Sequence, residues 1–135
     1  MFNKRKQPPI KSLIAHGSHI AGNFTFTDGL RIDGAVDGDI RANEEQPSIL
    51  VVSETATVTG AIRADHIIIN GLVKGTVHAH LMLELQPKAR VEGDVHYRAL
   101  EMHQGAVIAG QMCPAALADL KPTLKLAANN SQMNS

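Results

Sequence analysis

The stretches DGAVDGDIRA (33–42) and NGLVKGTVHA (70–79) share almost no charged residue, yet their small and aliphatic positions coincide. The same skeleton recurs when the chain is aligned on six glycines: Gly22, Gly38, Gly60, Gly75, Gly93 and Gly110. Two residues before them stand Ile20, Val36, Val58, Val73, Val91 and Ile108; two after stand Phe24, Ile40, Ile62, Val77, Val95 and Met112. Four before, every residue is small: Ser18, Gly34, Ala56, Gly71, Ala89 and Ala106. The odd offsets are mostly polar or variable, as at His19, Thr57, Arg90, Asn23, Asp39 and Asp94. Alternation with period two is a strand pattern whose even positions turn inward. A glycine recurring inside it marks a bend or a close backbone approach.

Between the glycine motifs lie second apolar runs, LRI (30–32), ILVV (49–52), HIII (66–69), LMLEL (81–85) and LEM (100–102), which also read as short strands. The glycines are 16, 22, 15, 18 and 17 residues apart. That period is one coil of a parallel β-solenoid with two or three strands per turn. The fold class is therefore all-β, a parallel β-helix of about six coils. Spacings of 15 to 22 break the hexapeptide rhythm of left-handed β-helices, which favours a right-handed coil. The longest spacing holds RANEEQPS (41–48), a polar, proline-bearing segment that reads as a loop pushed out from one corner. Each coil stacks on the one below, so the inward pattern must repeat while the outside varies. At about 4.8 Å per layer, six coils make a rod about 30 Å long.

The totals agree with a narrow, regular interior. Three Phe, one Tyr and no Trp leave the apolar share to Val, Ile, Leu and Ala. Formal net charge is zero, but it is unevenly spread: residues 1–11 carry +4, residues 119–135 carry +1 and the body between them −5. An acidic body repels a phosphate backbone, which excludes general nucleic-acid binding. The single Cys113 cannot form an intramolecular disulfide and fits a reducing compartment. No run approaches a membrane-spanning length, and the basic start lacks the apolar stretch of a secretory signal, so the expected address is the cytoplasm. The expected organisation is a flexible basic tail over residues 1–15, the β-helix over 16–113 and a disordered tail over 114–135.

A solenoid buries its sides but not its ends, where strand edges and half a core stay open unless capped. No amphipathic capping helix precedes Gly17, and CPAALADLKP (113–122) offers two helical turns at most. Candidate sticky residues are Ile20, Phe24, Phe26, Leu30 and Ile32 at the N-terminal end, and Leu100, Met102, Val107, Ile108 and Met112 at the other. The alternative is that these are terminal core residues covered by the tails. In the N-terminal tail, Met1 and Phe2 followed by Lys4, Arg5 and Lys6 pair an apolar tip with a basic patch, which suits a weak anchor on an anionic membrane. The competing reading is a disordered, solubilising start.

The repeated frame small-x-Val-x-Gly-x-Ile/Val-x-Ala, as in GAVDGDIRA (34–42), ATVTGAIRA (56–64) and GLVKGTVHA (71–79), resembles that of the bactofilins, bacterial polymer-forming cytoskeletal proteins. The resemblance spans roughly residues 12–113, and the start MFNKRK before a proline-bearing linker is similar to the family's membrane-targeting segment. It implies a right-handed triangular β-helix that polymerises end to end without nucleotide or other cofactor. It further implies non-polar filaments on the inner face of the cytoplasmic membrane, which help localise cell-wall synthases or hydrolases and shape the cell. With it, the end residues above become the expected polymer interface and residues 1–6 the membrane contact.

Enzymes also use β-helices, so the rival reading is a left-handed-type zinc carbonic anhydrase or acyltransferase; a non-polymerising solenoid adaptor is a third. His78 and His96 stand three residues after their glycines and Cys113 follows in that column, so stacking would bring possible zinc ligands together. Arg63 and Arg41 continue the same column and would repel a cation. Asp37, Asp39, Glu92 and Asp94 flank the glycines on outward positions and read as a solvated face. No P-loop, GxSxG or dinucleotide fingerprint is present. The expectation is no catalytic activity, no metal site and no cofactor.

Overall fold

A computed structural model describes residues 8–114. The chain opens with β1 (Ile10–Ile14) and then winds turn upon turn. The first turn holds β2 (His19–Ala21), β3 (Phe24–Phe26) and β4 (Gly29–Ile32), and the second β5 (Ala35–Asp37), β6 (Ile40–Ala42) and β7 (Ile49–Val52). In the third and fourth, β8 (Thr57–Thr59) and β10 (Leu72–Lys74) lead into the long strands β9 (Ile62–Ile69) and β11 (Val77–Leu85). The last are β12 (Arg90–Glu92), β13 (Val95–Tyr97) and β14 (Ala99–Met102), then β15 (Val107–Ala109) and β16 (Met112–Pro114).

Every pairing is parallel, and the strands stack on three faces. The first face is the six-stranded sheet β2, β5, β8, β10, β12 and β15. On the second lie β3, β6, the leading halves of β9 and β11, then β13 and β16. The third carries β1, β4, β7, the trailing halves of β9 and β11, and β14. Because β9 and β11 run through the corner between the second and third faces, those faces form one ten-stranded sheet. Neighbours on a face are joined by a crossover through the other two, a class of connection that is right-handed in nearly all proteins.

Register carries the glycine frame into space. Ile20, Val36, Val58, Val73, Val91 and Ile108 stack as one column on the first face. Phe24, Ile40, Ile62, Val77, Val95 and Met112 stack on the second. Ile14, Ile32, Val52, Ile69, Leu85 and Met102 complete the core from the third. Between the ends these columns are almost wholly removed from solvent, with Val58, Val73, Val91, Ile69 and Leu85 at 0% exposure. Burying such a side chain contributes about 1.5–3 kcal/mol, and the columns repeat that gain in every turn.

The glycines sit at the corner between the first and second faces. A methyl group at Gly60 would collide with the carbonyl of Gly38 beneath it, and Gly38 stands in the same relation to Gly22. Their φ of +150° is itself a conformation that side chains avoid. The close approach expected from the pattern is therefore glycine on glycine, coil on coil. The outward acids here are more than a solvated face, which corrects the expectation for two of them. Asp39 Oδ1 accepts the Ala61 N–H and Asp94 Oδ1 the Gln111 N–H, both at 2.9 Å. Each ties a corner amide of the next coil, which the strand ladder leaves unpaired.

One boundary also moves. Residues 10–14, expected in the flexible tail, form β1 on the third face, in register with β4. Gly29, lacking a side chain, lets the Pro9 carbonyl and Ile10 lie directly on it. Lys11 Nζ reaches Asp28 Oδ2 at 2.8 Å, at the corner before β4. Ile14 is 6% exposed and covers the start of the core. The polar insertion, expected to loop out over residues 41–48, does so over 43–48, because Arg41 and Ala42 complete β6. Its last residue, the buried Ser48, accepts the Asp65 N–H at 3.0 Å on its Oγ.

Candidate functional site

The candidate site is the pair of ends. Among the described residues, β1, β2 and β3 have no strand partner on the N-terminal side, nor β14, β15 and β16 on the other. Each therefore presents a row of open backbone donors and acceptors around all three faces. Apolar side chains go with these edges. Ile20 and Phe24 are half-buried at the first turn, and Leu100 and Ile108 at the last. Met102, Val107 and Met112 are 42%, 42% and 44% exposed, whereas their stacking partners one turn earlier are wholly or nearly wholly buried or, in the outward column, exposed arginine.

Three of the residues expected at the contact are buried instead. Leu30, at 1% exposure, lies under β1 in register with Ser12, and Phe26 is 6% exposed; both belong to the core, as does Ile32. For Leu30 and Ile32 the reason is the extra strand: β1 covers β4, so only β2 and β3 of the first turn remain open; Phe26, at the end of the open β3, turns into the core. The strand was hard to see because Lys11 and Ser12 interrupt its apolar run and it lacks the glycine frame. Met1, Phe2, Lys4, Arg5 and Lys6 lie outside the described residues, as do residues 115–135 of the C-terminal tail.

The histidine column forms as its spacing predicts. The rings of His78 and His96 stack with centroids 5.1 Å apart and 17° between planes, and His80 meets His78 edge-on at 5.4 Å. Cys113 follows His96 in register, and Arg63 precedes His78. Burial, then the charge of Arg63 and of the neighbouring histidines His96 and His80, lowers the pKa of His78, against a small opposing effect of Glu44. Among the described residues, the side chains close enough to share an ion are others: Glu84, Glu101 and His103, whose ligand atoms lie within 4.8 Å of one another. His103 Nε2 is 3.3 Å from Glu84 Oε2 and 3.5 Å from Glu101 Oε2. Register stacks the two carboxylates on adjacent strands, and the imidazole bridges them. The spacing of 17 residues between Glu84 and Glu101, close to one coil, was the signal for this grouping.

At the corner between the third and first faces, Asp33 is held below the usual carboxylate range by a hydrogen bond from Ser53 and by Arg31, partly offset by burial. Arg31 Nε donates to both its oxygens, at 3.0 and 3.3 Å. No helix among the described residues is long and apolar enough to cross a membrane.

A family model described as Bactofilin, polymer-forming cytoskeletal, matches residues 12–113. No curated protein and no solved structure matches the chain.

Proposed function

The chain belongs to the bactofilin family of polymer-forming cytoskeletal proteins, and from that premise we propose that its open ends stack to build a nucleotide-independent filament. The family is a structural one, so the assembly rather than a reaction is the product. The observation that carries the reading is the set of strand edges left unpaired among the described residues, with apolar side chains beside them at both ends. Stacking would pair those edges and bury Ile20 and Phe24 at one end and Leu100, Met102, Val107, Ile108 and Met112 at the other. Each backbone hydrogen bond gained contributes about 1 kcal/mol net, and the buried apolar area supplies the larger share.

An end cut across a coil is a ramp with one step, here where β1 overlaps β4. Two ramps of one hand mate with the second copy in either orientation. The geometry therefore admits the non-polar filaments that the family resemblance implies.

The tail supplies the second half of the proposal. Pro8 and Pro9 lead into β1 at the N-terminal rim of the third face. Lys4, Arg5 and Lys6 at about 1 kcal/mol each on an anionic leaflet, with Phe2 at about 2 kcal/mol, make a weak anchor alone. A filament repeats that anchor and converts it into avidity. The filament would thus lie on the inner face of the cytoplasmic membrane and position cell-wall synthases or hydrolases. Electron microscopy of the purified full chain without nucleotide tests the central claim. Filaments are expected; a protein that stays a single short particle at high concentration would refute it.

A further inference from the structure

The three faces differ in what they turn outward. The second face presents the Arg41, Arg63, His78 and His96 ladder, and the first is mostly polar. On the third, the central outward column reads Leu13, Arg31, Val51, Ile68, Glu84 and Glu101 from the first strand to the last. Its middle is apolar, and its charges are segregated: the cation lies towards the N-terminal end and both acids towards the other. Leu13 is 57% exposed and Leu81, at the corner beside this face, 49%.

We propose that the third face is a lateral seam, on which a second copy of this chain packs with its rod antiparallel. The argument is the order of the column. A two-fold axis parallel to the strands, in the plane of the seam, sets the second strand of one copy against the fifth of the other. Arg31 then meets Glu84 on each side of the centre, Val51 meets Ile68 twice in the middle, and Leu13 lies opposite Glu101 only at the outer edges, where that carboxylate keeps water and His103. Asp33 would face Gln86 and Ser53 would face Asn70 at the neighbouring corner, which are hydrogen-bonding pairs. With the rods parallel, Arg31 would face Arg31, and Glu84 and Glu101 would each face themselves. Opposed like charges destabilise a sheet contact, so the column selects the antiparallel arrangement. Arg31 gives Asp33 only its Nε, which leaves the η nitrogens for a carboxylate across the seam. An anionic membrane fits this face less well, because it carries Asp33, Glu84 and Glu101 against Arg31.

Size decides when the seam forms. Six strands at about 4.8 Å by four residues at about 3.3 Å give roughly 400 Å² per copy. A stable pairwise interface needs about 800 Å² per partner. Single subunits therefore do not pair, and adjacent filaments do, because the contact repeats along their length. The inference rests on the filament reading above.

The test is filament mass per unit length, measured by electron microscopy on the full chain without lipid, with far-UV circular dichroism confirming the fold of each variant. Wild-type filaments are expected at twice the single-strand value. Arg31→Glu or Glu84→Arg alone should halve it, and the double exchange should restore it. Ile68→Glu should also give single strands. Wild-type filaments of single-strand mass, or a double exchange that restores nothing, would overturn the seam and leave end-to-end assembly standing. Absence of any filament would remove both. Paired filaments that persist in Ile68→Glu while liposome binding is lost would assign the face to the membrane and overturn the proposal.

Discussion

Gly60 and Gly22 occupy the same place in the repeat but differ in what lies beneath them. The Gly38 carbonyl blocks any side chain at position 60, whereas nothing stands within 4 Å of a methyl group at position 22. Both have positive φ, +150° and +127°. Alanine at Gly22 should therefore meet backbone strain alone, about 1–3 kcal/mol. At Gly60 a collision adds to it, and Gly60→Ala should be less stable than Gly22→Ala by about 1–3 kcal/mol in denaturant titration. Equal losses would show that the glycine column reflects conformation and not stacking. His78 allows a second residue-level expectation. Its pKa is lowered from 6.5 by burial and by Arg63, His96 and His80, so the folded chain takes up this proton less readily than the unfolded one. Stability should fall as pH drops below 6.5, through the lowered folded value, and His78→Gln should flatten that dependence in thermal melts. An unchanged slope in the variant would place the pH dependence elsewhere.

Single strands of three or four residues have no stability of their own; each holds because a neighbour lies above and below it. At the terminal turns one neighbour is absent among the described residues, and β2, β3, β15 and β16 depend on what arrives next. Phe24→Arg in β3 or Ile108→Arg in β15 should leave a folded monomer, since both side chains are only half-buried at the rim of the core. Sedimentation at several concentrations would show it as a small species of constant mass, and undiminished polymer in both variants would count against these edges as the contact. β1 is the element that the pattern concealed. Its inward positions hold Ser12 between apolar neighbours, and its outward ones include Leu13, so the alternation that reveals the other strands is inverted there. The remaining boundaries were legible: the runs at 49–52, 66–69 and 81–85 coincide with β7 and the trailing parts of β9 and β11.

At the scale of the whole rod, weak terms act by repetition. One basic tail would hold a membrane poorly, and one outer face is too small to bind its like; the proposed filament would multiply both. A chain lacking residues 2–6 should still assemble yet fail to pellet with anionic liposomes; unchanged pelleting would end the membrane claim. The sequence by itself determined the coil, because a solenoid must present the same small and aliphatic residues inward at every turn, and stacking makes that demand local and periodic. It also carried the glycine corner and the histidine column, each set by offset from the glycine. The tertiary structure alone decided which end residues stay open, because that depends on whether β1 lies over β4. It alone showed that Asp39 and Asp94 serve the next coil and that Glu84, Glu101 and His103 converge. Those contacts join residues of different turns: the repeat hints at which turns they share, but only the folded register brings their side-chain atoms within reach.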